Sequence, residues 1–274
     1  MDAETLDQAG MAVMTEQCAE FRFYAELNDF LRPAKRYKPL RYRFRSEPGI
    51  KDPIEALGVP HAEVELIVVN GASVGFDYRL RDRDRVAVYP VFESVDVTPL
   101  VRLREAPLRR TTFVVDVNLG KLARLLRMLG FDVLYRNDYS DAEIVRISVQ
   151  KHRIILTRDR RLLRHGAVTH GYWVRSDDPA DQVEEILRRF DLYRAARPLQ
   201  RCIECNGLLE EVSKEEVLDQ LEPLTKKHYQ AFHRCPECGR VYWQGSHVDK
   251  MQEKISKLME TVGVETAVEA GGVE

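Results

Sequence analysis

Four of the five cysteines stand in two Cys-x-x-Cys pairs, Cys202 with Cys205 and Cys235 with Cys238, and 29 residues separate the pairs. Two knuckles at such a spacing make a tetrahedral four-cysteine zinc site of the ribbon type, with no ligand position open for catalysis. Redox-active thiols account for one pair more easily than for two. The flanks agree, since Asn206 and Gly207 follow the first pair while Pro236 and Gly239 frame the second. Zinc here is expected to stabilise a small module over residues 199–250. The fifth cysteine, Cys18, is read as a bystander, and the odd total favours a reducing compartment over a disulfide framework.

At one domain per ~150 residues, the chain's 274 residues hold two domains or three small ones. With 44% apolar residues it can bury a core. Its 42 Lys and Arg against 44 Asp and Glu leave a net charge of −2, which neither demands nor excludes a polyanionic partner. No apolar run nears the ~18 residues of a membrane span, and the acidic start MDAETLDQAG has no basic n-region. The expectation is a cytoplasmic protein without a membrane partner.

Residues 17–98 read as a compact α+β unit. The stretches 21–25 and 41–45 alternate like half-buried strands. Asp52 and Pro53 are read as N-cap and first residue of a short helix that Gly58 closes. A strand at 65–69 meets the hairpin pair Asn70 and Gly71, and 85–92 supplies the last strand. This order suggests a β-grasp. PHAEV at 60–64, VVNG at 68–71 and DRVAVYPVF at 84–92 resemble the ubiquitin-like and sulfur-carrier group of that fold. Carriers need a free terminal Gly-Gly, whereas this domain runs on, and Gly271 and Gly272 are followed by Val273 and Glu274, so carrier chemistry is not expected. A protein partner of the domain is one expectation. Another arises from Arg32, Lys35, Arg36, Lys38, Arg41, Arg43 and Arg45, interleaved with Tyr37, Tyr42 and Phe44. That mixture suits nucleic acid, or it is a solvated basic face with the aromatics turned inward.

A Pro- and Arg-containing stretch, 97–111, reads as a linker to a unit over 112–198. There a strand ending on Asp116 precedes a helix at 119–129, capped by Asn118 and stopped by Gly130. Leu119, Leu122, Leu126 and Leu129 form its stripe, with Lys121, Arg124 and Arg127 off it. Strands at 132–135, 153–157 and 172–174 alternate with helices at 141–149 and after Asp178-Pro179, which implies a parallel sheet. Functional groups collect beyond the carboxyl ends of such strands, and Asp116, Asp138, Asp141 and Asp159 all fall there. Carboxylates brought together repel, and Mg²⁺ or Mn²⁺ is their natural counter-charge. Each also has a plain reading as a helix cap, a turn residue or an ion-pair partner of Arg158 or Arg160.

The blocks FVVDVNLGKLARLLRMLGFD at 113–132, NDYSDAE at 137–143 and RIILTRDRRLL at 153–163 resemble the PIN-like ribonuclease domain named after the C-terminal part of the Mut-seven exonucleases. RCIECNGLL at 201–209 and CPECGRVYWQGSH at 235–247 resemble the zinc ribbon that accompanies it. The resemblance implies a PIN-like α/β domain between a β-grasp and a four-cysteine zinc ribbon, and catalytic metal held by Asp116, Asp141 and Asp159, with Asp138 a further candidate. Asn118, Lys121, Arg124, Arg158 and Arg160 are candidate substrate contacts. In the ribbon, Trp243 and His247 either touch RNA or serve the core and the surface. The implied activity is metal-dependent RNA hydrolysis, with RNA, including ribosome or tRNA, as partner. The competing expectation is a non-catalytic RNA-binding or ribosome-associated adaptor on the same fold.

Overall fold

A computed structural model describes residues 16–90, 111–245 and residue 253. The chain divides into two compact units, Met1–Glu105 and Ala106–Glu274. Apart from residue 111, the expected linker lies outside the described residues, as do Val91, Phe92, His247, Gly271 and Gly272. No helix among the described residues is long and apolar enough to cross a membrane.

The first unit is a β-grasp, as expected. Its elements are β1 (Gln17–Phe23), β2 (Leu40–Phe44), α1 (Lys51–Leu57), β3 (Leu66–Val69), β4 (Ala72–Val74) and β5 (Arg85–Tyr89). The sheet order is β2-β1-β5-β3-β4, with β1 and β5 parallel at its centre. Alternation sends Ala19, Phe21, Phe23, Leu40 and Phe44 into the core and leaves Arg41 and Arg43 exposed. In the basic stretch, Tyr42 stands edge-on to Phe21 with ring centroids 6.1 Å apart, whereas Tyr37 is 65% exposed. Asn70 and Gly71, at φ 51° and 90°, join β3 to β4 in a two-residue turn with both φ values positive. The expected cap is corrected: α1 begins at Lys51 behind Ile50, and Asp52 is its second residue. Fully buried Ile50 sets the entry by donating its N–H to the Tyr78 carbonyl at 2.9 Å.

In the second unit β6 (Phe113–Val115), α2 (Gly120–Met128), β7 (Val133–Leu134), α3 (Asp141–Lys151), β8 (Ile154–Thr157), β9 (Gly171–Trp173) and α4 (Pro179–Arg189) build a parallel sheet ordered β7-β6-β8-β9. Residues of α2 and α4 (Leu122, Leu126, Val183, Ile186) share one core with Phe113, Val115, Leu156 and Tyr172. Right-handed crossovers then place α3 on the opposite face. The leucine stripe of α2 is buried as expected, but Arg127 is buried with it, and a short 3-10 turn at Val117–Leu119 precedes the helix, so Asn118 is not its cap. The Tyr135 hydroxyl packs over Gly120 and donates to the Val117 carbonyl at 3.1 Å, which holds that turn out of the helix.

Gly130 ends α2 at φ +91°, and a methyl group there would collide with the Arg197 carbonyl oxygen. Backbone strain adds to that clash, so Gly130→Ala should destabilise this unit by about 2–4 kcal/mol in urea unfolding.

The chain closes with β10 (Glu210–Val212), α5 (Pro223–His228), β11 (Phe232–Arg234) and β12 (Val241–Tyr242), where the three strands form an antiparallel sheet. Val217, Leu221 and Phe232 form its core, and Trp243 packs against them.

Candidate functional site

From β6 the chain moves out to β7 and then crosses back over β6 to β8. The carboxyl ends of β6 and β8 therefore flank a topological switch point, where open α/β sheets hold ligands. Asp116 lies just past β6, 4% exposed, and donates its N–H to the Leu156 carbonyl at 3.0 Å. The fully buried Thr157, last residue of β8, donates its hydroxyl to Asp116 Oδ2 at 2.6 Å. That hydroxyl oxygen in turn accepts the Asp159 N–H at 2.8 Å. One side chain thus ties the two acidic positions together. The Asp159 carboxylate accepts the Arg161 N–H at 2.7 Å and is otherwise on the exposed loop after β8. Nothing in sequence spacing singled out Thr157; its one signal is a hydroxyl ending an otherwise apolar strand, two residues before Asp159.

The other sequence-derived candidates are more dispersed. Asp141 is the exposed first residue of α3, which Ser140 caps in a reciprocal box with Glu143. Asp138 pairs with Arg136 at 2.6 Å on the surface. Asn118 and Lys121 are exposed, and Arg124 pairs with Glu204 in the first cysteine knuckle. Arg158 donates to the Ser176 carbonyl at 2.7 Å and pairs with Asp177. Arg160 stacks on the Trp173 ring. Among the described residues, only the four cysteines form a group of three or more His, Cys, Asp or Glu with ligand atoms all within 4.8 Å of one another. The structure therefore joins Asp116 to the Asp159 backbone through Thr157, and among the described residues Asp116, Asp141 and Asp159 do not meet as a three-carboxylate group within 4.8 Å. The donor set at this edge is all oxygen, and Mg²⁺ needs only one or two carboxylates beside its waters and substrate. Asp116 and Asp159 are the acidic residues that Thr157 links at this edge.

The cysteines fit zinc more completely. Cys202 Sγ lies 3.5 Å from Cys238 Sγ, and Cys205 Sγ 3.4 Å from Cys235 Sγ. Zn–S bonds of about 2.3 Å put tetrahedral thiolates at similar separations. Each knuckle folds its backbone around its own sulfur. The Asn206 N–H bonds the Cys202 carbonyl at 3.0 Å and the Gly239 N–H bonds the Cys235 carbonyl at 2.8 Å, with Asn206 and Gly239 at φ 70° and 74°. Burial works against ionising Cys202, yet the Cys205 N–H, the Tyr242 hydroxyl and the Cys238 thiol bring it down to about 7. Burial, with hydrogen bonds among the sulfurs, pushes the Cys205 and Cys238 thiols up instead, so metal binding would release protons.

The first knuckle also reaches the parallel sheet. Strand β7 is an edge, and the outward N–H of Val133 donates to Asn206 Oδ1 at 2.9 Å. The outward Val133 carbonyl accepts Arg127 Nε at 2.9 Å, while Arg127 Nη1 donates to the carbonyls of Ile203 at 3.0 Å and Glu204 at 2.6 Å. This is why a cation on the expected polar side of α2 is buried. Burial pushes the Arg127 guanidinium below its ordinary value. Beside it Asp132 accepts Arg153 at 2.7 Å, Asn206 Nδ2 at 2.8 Å and Arg201 at 3.2 Å.

Against the opposing pull of burial, the bonds to Arg153 and Asn206 hold the Asp132 carboxyl below the usual carboxylate range. A depressed carboxylate stabilises the fold above its unfolded value and loses that contribution as pH falls through the folded one. Asp132→Asn should therefore cost about 2 kcal/mol at pH 7. Its unfolding curve should converge on that of the parent chain as the pH is taken down through that range.

Profiles of two families match the chain, the Mut7-C RNAse domain over residues 111–255 and the Mut7-C ubiquitin over residues 16–96. No curated protein and no solved structure gives a significant match. Since the parallel sheet, its acidic edge and the four-cysteine ribbon all fall inside a match spanning more than half of the sequence, the chain belongs to the Mut7-C RNase domain family, with a Mut7-C ubiquitin-like domain ahead of that region.

Proposed function

We propose that the protein is a metal-dependent ribonuclease that hydrolyses RNA phosphodiester bonds at the carboxyl edge of β6 and β8. The observation that carries this reading is the Asp116–Thr157–Asp159 chain at the switch point. The family supplies RNA as the substrate class. The Thr157 hydroxyl ties Asp116 Oδ2 and fixes the plane of that carboxylate. A second bond from Thr157 orients the backbone of the loop that carries Asp159. Asp116 and Asp159 would hold Mg²⁺ or Mn²⁺, which would supply an activated water and a counter-charge for the phosphate. Asp138, on the loop that follows β7, and Asp141, first residue of α3, are the remaining acidic candidates for the same edge. Asn118, Lys121, Arg158 and Arg160 are the candidate substrate contacts, whereas Arg124 is committed to Glu204. Ribosomal RNA and tRNA are the first forms of substrate to try, in a cytoplasmic setting, and the ubiquitin-like domain is assigned to partner binding.

The test is cleavage of a labelled mixed-sequence RNA by the zinc-loaded chain with Mg²⁺, with Mn²⁺ and with neither, beside Asp159→Asn. Cutting should require an added ion and fall about a hundredfold or more in the variant. Tight binding of intact RNA under every condition would instead establish the adaptor.

A further inference from the structure

The row of side chains that begins at Asp116 continues past Thr157. Val115 pairs with Leu156, so Asp116 falls beside Thr157, and Thr157 pairs with Trp173 on β9. Paired residues of neighbouring strands project from the same face, and the strands lie about 4.8 Å apart. Trp173 is thus the next side chain along the row from the two that define the candidate site, on the edge strand, and only partly buried.

Its ring is pinned to the acidic loop. The indole N–H donates to the Arg158 carbonyl at 3.2 Å, one residue before Asp159. The Arg160 guanidinium carbon, one residue after Asp159, lies 3.8 Å from the centroid of that ring. Arg175 approaches more distantly, at 5.3 Å from Trp173 and 5.0 Å from Tyr172, and is engaged by Glu185 at 3.7 Å. Arg158 is turned to Ser176 and Asp177. The cation carried closest on this ring is therefore that of Arg160. An aromatic face holds a guanidinium flat through its π-surface, while the N–H donors lie in the rim, the geometry that suits an anion approaching edge-on.

We propose that Trp173 is a positioning residue that stacks Arg160 beside Asp159, building a subsite for one backbone phosphate of single-stranded RNA next to the carboxylates. The location of the scissile bond rests on the nuclease reading above; the stacking and its effect on binding do not.

The experiment measures affinity of the zinc-loaded full chain for a labelled single-stranded RNA across a salt series, with no Mg²⁺ or Mn²⁺ added. Arg160→Gln and Trp173→Ala should each weaken binding about five- to tenfold and flatten the salt dependence by about 0.7, one phosphate contact on a single strand. The double substitution should add almost nothing to either single one, because both remove the same cation from its place. Trp173→Phe keeps an aromatic face and should retain most of the affinity. If Trp173→Ala does not fold, Trp173→Leu, which keeps apolar bulk without an aromatic face, takes its place in the double substitution. Multiplicative losses in the double variant, or an affinity and slope indifferent to Arg160, overturn the proposal. An RNA that is bound with this coupling but never cut would overturn the nuclease reading and leave the subsite standing. Normal cutting without the coupling would do the reverse.

Discussion

Asp116→Asn is expected to fold as the parent chain does and to lose RNA cleavage by two to three orders of magnitude, about 3–4 kcal/mol of transition-state stabilisation. The substitution is nearly isosteric, and the amide oxygen still accepts the Thr157 hydroxyl that Asp116 Oδ2 accepts at 2.6 Å. What disappears is the charge, at a position 4% exposed. Thr157→Val provides the complementary case. It keeps the shape and both carboxylates but leaves the Asp159 N–H without its acceptor and Asp116 without its donor. Stability should fall by about 1–3 kcal/mol, and cleavage should fall about tenfold through poorer positioning. The comparison is made on initial rates against Mn²⁺ concentration. Unchanged rates in Asp116→Asn would show that this edge is structural and send the search for the site elsewhere.

Cys235→Ser is expected to release the zinc equivalent and unfold the ribbon, with consequences for the parallel sheet. Cys235 is fully buried and its carbonyl anchors the second knuckle turn through Gly239. Binding energy at a structural zinc site is folding energy, of order 10 kcal/mol in small modules, so a ribbon whose own buried core is three residues depends on the metal to stay folded. The loss is transmitted because Arg127 would remain buried while its Ile203 and Glu204 acceptors leave. Breaking such a set costs about 3–5 kcal/mol. Zinc content by atomic emission and amide exchange at Val133 read the two halves of the claim. If zinc is lost while Val133 stays as protected as in the parent chain, the ribbon does not support the sheet.

Much of this architecture is written in local pattern. The strands of the second unit are short apolar runs, its helices carry clear stripes, and Asp178-Pro179 opens α4 as an N-cap followed by proline, with the Asp178 carboxylate accepting the Ala180 and Asp181 N–H groups. The cysteine pairs were legible because ligand chemistry dictates their spacing. Arg127 was not, since a helix read alone has one buried face, and only the arrival of the knuckle carbonyls makes a second. Thr157 and Trp173 escaped for a related reason. Their meaning lies in register between strands that are distant in sequence, and no periodicity within either strand reports it. The helix starts at Lys51 and Gly120 shifted because tertiary bonds from Tyr78 and Tyr135 outweigh the local preference of Asp52 and Asn118 for a capping position.

Arg127 carries a consequence for how such a chain can be inherited. Its single side chain satisfies the Val133 edge of the sheet and the Ile203 and Glu204 carbonyls of the knuckle. Neither piece can be traded for an unrelated neighbour without stranding polar atoms in the other. Recombination that cuts between them should be purged, whereas the ubiquitin-like unit, which forms its own core, is free to be gained or shed. The sheet and its ribbon should therefore descend through related genomes as one indivisible cassette.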